Sequence, residues 1–487
     1  MATIDEIREA RLKKLKRLKE NSISPYPIKA ERLSEIKDVL DNFEELSSSK
    51  KPVTLVGRIK SIRSHGGSAF FDIEDYSSKI QVFLKKDAIG DKKYSFFEEL
   101  MDIGDFVGVK GFLFQTKKGE KTLEANDFTI LSKSLRPLPE KWHGLKDTEE
   151  RYRKRYLDLI FNKEVKEKFE LRSKIVSELR KFMEEKGFLE VETPILQPIY
   201  GGAKARPFKT HLNAMDMDLY LRIAPELYLK RLIIGGFEKV YEIGRSFRNE
   251  GVDKSHNPDF TSLEFYYAYK DYEDLMKFTE EMLSSLVKTL FKSTKINLEG
   301  KEIDLKPPFQ RIDFSILIKK YAGIDLNKLE GKELYEKAKL LGVSVSDKMG
   351  DSEVIDEVYK KYCKPKVLEP TFIVNHPLGF FPLAKAMDNN KSLANFQLVI
   401  GGWEMANAFS ELNDPIEQRK RFEEQEKFFK KGLEEAQRMD EDFIEALEYG
   451  MPPCAGFGMG IDRLVALLTN SHSLRETILF PLMKEKK

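Results

Sequence analysis

The chain has 487 residues, 41% hydrophobic and 34% charged, the balance of a folded protein with room for two or three domains and not of a disordered one. Lysine and arginine total 83 against 81 acidic residues, so net charge points to no partner and only local charge placement can. Cys363 and Cys454 are the two cysteines, with no CxxC pair or Cys/His cluster, which excludes a zinc knuckle or a disulfide framework and fits a reducing compartment.

No apolar run is long enough to span a bilayer, and the first residues lack the apolar core of a signal peptide. A cytoplasmic protein without membrane attachment is expected. Ile4, Ile7, Leu12, Leu15 and Leu18 fall near helical spacing among Arg8, Arg11, Lys13, Lys14, Lys16, Arg17 and Lys19. They predict a basic helix in a lead-in over 1–50, a pattern that is most often a solvated face.

From Val53 to about Leu131 short strands take over: VTLVGRIKSI, SAFFDIED, KIQVFLKK, FVGVKGFLF and KTLEANDFTIL, with one helical stretch, DKKYSFFEELMD, after the third. Three strands, a helix and two strands suit a five-stranded oligonucleotide-binding barrel over 51–135. Alternation puts Ala69, Phe71 and Ile73 on one face and Phe70, Asp72 and Glu74 on the other. It likewise turns Ile80, Val82 and Leu84 inward and Gln81 and Phe83 outward. An outward Phe beside a Gln suits base stacking and base-edge hydrogen bonding, though two such residues also occur on any half-buried sheet. Pro137, Pro139 and the basic-aromatic run RYRKRY mark a linker over 136–160.

The remainder, 161–487, alternates helices and strands and holds three blocks. The first is an amphipathic helix, KFELRSKIVSELRKFMEEKGF, stopped by Gly187 and followed by a strand LEVETPIL that Pro194 interrupts. The second, FEKVYEIGRSFRNEGVDKSHNPDFTSLEFYYAY, is two strands around a polar loop. Alternation places Arg248 with Ser246 and Gly244, and groups Phe260, Ser262, Glu264 and Tyr266. That face offers a guanidinium for phosphate, a ring for a base and a carboxylate for a cation. In the third, GFGMGIDRLVALL, Gly456, Gly458 and Gly460 make a strand bare of side chains before a helix that opens with Asp462 and Arg463. Between the second and third, Gly401-Gly402 forms a hairpin turn, followed by Glu404, Asn407 and Glu411. Carboxylates near a phosphate site suit a hard Mg²⁺ ion.

These blocks resemble motifs 1, 2 and 3 of the class II aminoacyl-tRNA synthetases. GGAKARPF, LRIAPELYLKRLIIGGFEKVYEIGRSFRNEG, AFSELNDP and RPLPEKWHGL narrow the resemblance to the bacterial-type lysyl-tRNA synthetase family, along nearly the whole chain. The fold it implies is α+β: an N-terminal barrel, then a catalytic domain on an antiparallel sheet flanked by helices. The activity it implies is ATP-dependent activation of L-lysine and its transfer to tRNA(Lys), with Mg²⁺, in a homodimer formed through the segment near Pro194.

Residue by residue, the resemblance makes Arg248 the ligand of the α-phosphate and of the lysine carboxylate. Glu250 reads the adenine amino group, His256 reaches the distal phosphates, and Phe260 and Arg463 cover the two adenine faces. Glu264, Tyr266 and Glu411 surround the ε-ammonium, Glu226 and the Gly202 backbone take the α-ammonium, and Asn407 takes the carboxylate. Metal ligands are expected at Glu404 and Glu411; the family commonly carries an acidic residue where this chain has Gln397, so a charge is missing there. In the barrel, Phe70 stacks on a uridine of the anticodon while Arg63 and Gln81 touch base edges.

An acidic pocket favours lysine over neutral rivals, because carboxylates buried without their cation cost roughly 3–5 kcal/mol. Ornithine is the harder competitor, since one methylene is worth about 1–3 kcal/mol. A synthetase for aspartate or asparagine shares barrel and motifs, but Glu264 and Glu411 would repel an aspartate side chain. A lysine-transferring paralogue acting on protein would lack the barrel. A non-catalytic RNA-binding scaffold is at odds with intact Arg248, Glu250, Glu404 and Arg463.

Overall fold

The protein, seen in a computed structural model, is described over residues 3–139 and 147–485, less 327, 347–348, 389–390, 431–434 and 436. The end of RPLPEKWHGL, from residue 140, lies outside the described residues. Two compact units divide the chain, Met1–Lys146 and Asp147–Lys487. No helix among the described residues is long and apolar enough to cross a membrane.

The first unit opens with the expected basic helix, Ile4–Glu20. Thr3 caps it, its side chain accepting from the Glu6 N–H while Glu6 accepts from the Thr3 N–H at 2.7 Å, so two of the free N–H groups of the first turn are satisfied. Strands β1 (Val53–His65), β2 (Ser68–Glu74), β3 (Lys79–Lys85), β4 (Phe106–Gln115) and β5 (Lys121–Ser132) close a barrel in the order β1-β2-β3-β5-β4. Its interior is the apolar half of each alternation: Ala69, Phe71 and Ile73 from β2, and Ile80, Val82 and Leu84 from β3. The helix Asp91–Leu100 adds Tyr94, Phe97 and Leu100 to that core, with Phe97 4.8 Å from Phe71 and 5.5 Å from Phe128. Closure leaves no free strand edge.

In the second unit, the RYRKRY run falls in two short helices, Thr148–Arg153 and Arg155–Phe161. Arg155 is buried, pairs with Asp158 at 2.5 Å and donates to the Arg475 carbonyl at 2.9 Å, so its charge is committed to packing.

Strands follow as β6 (Leu189–Glu190), β7 (Leu196–Gln197), β8 (Phe208–Leu212), β9 (Met217–Leu221), β10 (Lys239–Phe247), β11 (Asp259–Ala268), β12 (Lys295–Leu298), β13 (Lys301–Asp304), β14 (Gln310–Asp313), β15 (Thr371–Val374), β16 (Asn395–Ile400), β17 (Trp403–Ser410) and β18 (Cys454–Gly460). Eight of them form one mainly antiparallel sheet, β14-β15-β16-β17-β18-β11-β10-β6. One face packs against the helices Lys163–Glu185, Tyr272–Phe291 and Ile461–Leu468 through Ile175, Leu179, Met183, Met282, Leu286, Leu464 and Val465.

LEVETPIL does not form one strand. It yields only β6 and β7, which belong to different sheets, with Pro194 between them, where a missing N–H breaks any ladder. The expected hairpin turn is present: Gly401 and Gly402 both take positive φ, +60° and +76°, as a two-residue turn requires.

Candidate active site

The sheet face opposite the helices opens into a cleft of about 610 Å³. Along β11, Phe260, Ser262, Glu264 and Tyr266 line it while Leu263 and Phe265 enter the core, which is the expected period-two split. Facing them from β18 are Gly456, Gly458 and Gly460. A Cβ at Gly456 would fall 2.1 Å from Glu411 Oε1 and 2.5 Å from the Tyr266 ring. The bare backbone lets that carboxylate and that phenol share one place.

One end of the cleft is acidic. Glu226 opens the helix Glu226–Ile234, and one turn later Lys230 sets its Nζ 2.6 Å from Glu226 Oε1 and pairs with Glu411 Oε2. Glu226, Lys230, Glu411 and Tyr266 are all buried. Glu264 keeps part of its surface open to the cleft, yet burial, and then the Glu226 carboxylate, push its carboxyl up to about 8. Burial also raises the Glu226 and Glu411 carboxyls, and the Lys230 ammonium they share only partly offsets it. Burial alone would strip the Lys230 proton, but Glu226 and Glu411 hold it in place and raise that group. Gly202 borders this end at φ +90°, its N–H donating to Gln437 Oε1 at 2.9 Å.

The other end is cationic. Arg248 stands one residue beyond β10, so strand alternation does not aim it; its N–H donates to the Pro258 carbonyl at 2.8 Å. Its guanidinium lies 5.0 Å from the Phe260 ring centre. The companions expected beside it are not open surface. Ser246 is buried, and the Arg222 guanidinium fills the space a side chain at Gly244 would need. Arg463 Nη1 donates to the Glu404 carbonyl at 2.9 Å. Asp462 is structural, accepting from the Thr261 N–H at 3.0 Å and pairing with Arg172 at 2.6 Å. Glu250 and His256 lie in the exposed loop between β10 and β11, where His256 Nδ1 is 3.0 Å from Asp253 Oδ2. Slight burial works against it, but hydrogen bonds from His256 and Ser255 hold the Asp253 carboxyl at about 2.

Glu404 and Asn407 are three apart, which a regular strand would send to opposite faces. A register shift against β16 at Val399 brings them together, and Asn407 Nδ2 donates to Glu404 Oε1 at 2.6 Å. Burial would raise the Glu404 carboxyl, but Arg463, then Lys364 and Asn407, hold it below its ordinary value. Gln397 Nε2 donates to Asn407 Oδ1 at 3.2 Å, and Gln397 Oε1 accepts from the Tyr359 hydroxyl.

Among the described residues no group of three or more His, Cys, Asp or Glu side chains forms a metal cage. Glu411, expected as a metal ligand, faces the Lys230 ammonium, a cation already in place. What remains near Glu404 is one ionised carboxylate and two amide oxygens. That hard donor set fits a Mg²⁺ ion that arrives with phosphate oxygens of its own.

In the barrel, Arg63, Phe70 and Gln81 sit on neighbouring strands. Arg63 pairs with Phe70 across β1 and β2, and Phe70 with Phe83 across β2 and β3. The two rings stack at 4.6 Å, so Phe70 has a neighbour on one side already. Gln81 Oε1 is buried without a hydrogen-bond partner, an acceptor that a ligand donor would satisfy.

Comparison with known proteins gives the family. The family of class II tRNA synthetases (D, K and N) matches residues 147–484, and that of OB-fold nucleic acid binding domains matches 53–131. The lysine–tRNA ligase of Carboxydothermus hydrogenoformans is 52% identical over 485 residues, covering 99% of both chains. That of Pelotomaculum thermopropionicum is 52% identical over 488 residues, covering 99% of this chain and 96% of the relative. That of Thermotoga maritima is 47% identical over 489 residues, covering 99% and 97%. The chain belongs to the lysine–tRNA ligase family.

As a member of that family it shows three buried residues that sequence reasoning missed, one lining the cleft (His376) and two behind its wall (Lys230 and Arg222). Lys230 was signalled by its i,i+4 spacing from Glu226. Arg222 is buried, pairs with Glu242, and donates to the Arg245 carbonyl at 2.7 Å, tying β10 to the segment before the helix Glu226–Ile234. His376 is buried with Nε2 unpartnered, and burial pushes it down to about 4. Nothing in its sequence neighbourhood marks it.

Proposed function

We propose that the protein activates L-lysine with ATP to lysyl-adenylate and transfers the lysyl group to the 3′ end of tRNA(Lys). The observation that carries this reading is the pairing, in one cleft, of an acidic end at Glu226 and Glu264, backed by the buried Glu411, with a cationic end at Arg248 and Arg463. Lysine is complementary to that polarity: two ammonium groups for the acids and a carboxylate for Arg248.

A lysine carboxylate, with pKa of about 3.5 or lower, needs no general base. Its oxygen attacks the α-phosphorus, the bond to the bridging oxygen breaks, and pyrophosphate departs. Catalysis is then positioning and charge neutralisation. Arg248 takes the carboxylate and α-phosphate, Arg463 the γ-phosphate end, and Phe260 and Arg463 the two adenine faces. Glu250 reads the adenine amino group and His256 the distal phosphates. Glu264, Tyr266 and Glu411 take the ε-ammonium, Glu226 and the Gly202 backbone the α-ammonium, and Asn407 the carboxylate. Glu404, with the Gln397 and Asn407 amides beside it, would hold Mg²⁺, which when bound would supply positive charge to the phosphate end. In the second half-reaction the terminal ribose hydroxyl of tRNA attacks the carbonyl and AMP leaves.

The barrel reads the anticodon through Arg63, Phe70 and Gln81, and the basic helix Ile4–Glu20 adds salt-dependent affinity. A cytoplasmic homodimer completes the proposal. Leu189, Ile195, Leu196 and Ile199, large apolar side chains exposed around Pro194, favour a partner there.

The test is ATP–pyrophosphate exchange with each proteinogenic amino acid in turn. Exchange with lysine alone is expected. Exchange with another amino acid overturns the pocket reading, and none at all overturns the catalytic one.

A further inference from the structure

Three carboxyls meet at the acidic end, and the protein itself supplies one of their cations. Lys230 is fully buried, with Nζ 2.6 Å from Glu226 Oε1 and in contact with Glu411 Oε2. Those two acids come from a helix and from the residue just past β17, places far apart in the chain. Phe409 and Phe443 stand 5.7 and 6.0 Å from the ammonium and close off its apolar surroundings. The Lys230 ammonium pairs with Glu226 and Glu411, whereas Glu264 opens to the cleft.

Resting on the lysine reading of the cleft, we propose that Lys230 is a specificity-determining positioning residue: an internal counter-ion that bridges Glu226 and Glu411 and sets the charge and spacing the pocket offers to an amino acid. Once a bound diamine ionises all three acids, three carboxylates less one ammonium leave two negative charges, the number of ammonium groups on free lysine. The bridge also joins the acid assigned to the α-ammonium to one assigned to the ε-ammonium. It thereby fixes their separation, and so the length of diamine that fits. Without it the two carboxylates repel each other, and one turns aside or takes up a proton. Lys230 itself touches no reacting atom.

The experiment uses the full-length enzyme and the variants Lys230→Ala and Lys230→Met. Lysine and ATP are titrated separately in pyrophosphate exchange, with and without added n-propylammonium, which replaces the part of the side chain that alanine lacks. The expected result for Lys230→Ala is a lysine KM raised about 100-fold, the order of effect of displacing a positioned group. The ATP KM should not move, and n-propylammonium should restore activity where neutral n-propanol does not. Wild-type enzyme is not activated by the amine. A lysine KM unchanged in Lys230→Ala, or rescue by n-propanol as good as by the amine, overturns the proposal. If Lys230→Ala does not fold, the near-isosteric Lys230→Met decides: a raised lysine KM with an unmoved ATP KM supports the bridge, and an unmoved lysine KM overturns it. Failure of the lysine reading would look different, since wild-type enzyme would then show no lysine-dependent exchange.

Discussion

Arg463 donates from its guanidinium to the backbone carbonyl of Glu404 at 2.9 Å. The cation of the helix Ile461–Leu468 is thus fixed against the residue that holds the carboxylate of the phosphate end. Arg463→Ala removes a charge and loosens that strand together. Loss of one preorganised electrostatic group typically costs about 10²–10³-fold in rate, so pyrophosphate exchange should fall by that order. tRNA binding, measured by filter retention, should be unchanged. Full exchange activity in the variant would count against the assignment.

Glu264 predicts how stability varies with pH. Its carboxyl is raised from 4.5 to about 8 in the folded protein. Below pH 4.5 it is neutral in both states and contributes no pH dependence. Between pH 4.5 and 8 it is ionised only in the unfolded chain, which favours unfolding, so stability falls as pH rises and levels off above 8. Allowing for its partial exposure, Glu264→Gln should gain roughly 1–2 kcal/mol at pH 8 and nothing near pH 4, as read by thermal melts. Its lysine KM should rise. A melting curve with the same pH slope in both proteins would remove this account.

Gly456→Ala tests the close approach of Glu411 and Tyr266. The new methyl meets both, and overpacking of this kind costs about 1–3 kcal/mol. The lysine KM should rise about ten- to hundredfold, with a smaller effect on ATP, in the same exchange assay.

Gln397→Glu would place a second carboxylate beside Asn407 and Glu404. Exchange measured against Mg²⁺ concentration should reach half-saturation at lower Mg²⁺ than in wild type. An unchanged Mg²⁺ dependence would mean that Gln397 serves Tyr359 and Asn407 alone.

Phe70→Ala should separate the two units functionally. Stacking on a base is worth about 1–3 kcal/mol, so the tRNA KM for aminoacylation should rise while lysine-dependent pyrophosphate exchange stays the same.

Where the chain obeys a simple period, sequence was enough. The faces of β2 and β3, the cleft face of β11 and the glycine strand β18 all follow from alternation. It failed where geometry departs from the period. Arg248 lies past the end of its strand, and Glu404 and Asn407 share a face only because of the register shift in β17. LEVETPIL reads as a strand interrupted at Pro194, but not as two pieces that join different sheets. The pairing of Glu411 with Lys230 was not legible because the two are distant in sequence. Trp403, unexplained from sequence, packs partly buried against the sheet core and against Ala466, Leu474 and Ile478.

The strand order of the catalytic sheet carries a lesson about biosynthesis. β18, among the last strands to be translated, lies between β17 and β11. Until residue 460 has left the ribosome, the hairpin of β10 and β11 presents an unpaired edge, and the two halves of the cleft have no common wall. The barrel, made of neighbouring segments near the N-terminus, can close long before that. A nascent chain of this enzyme therefore carries a finished RNA-binding module ahead of an open, aggregation-prone sheet edge. Stalled chains ending before residue 454 should bind tRNA but not ATP, and should depend on chaperones to stay in solution.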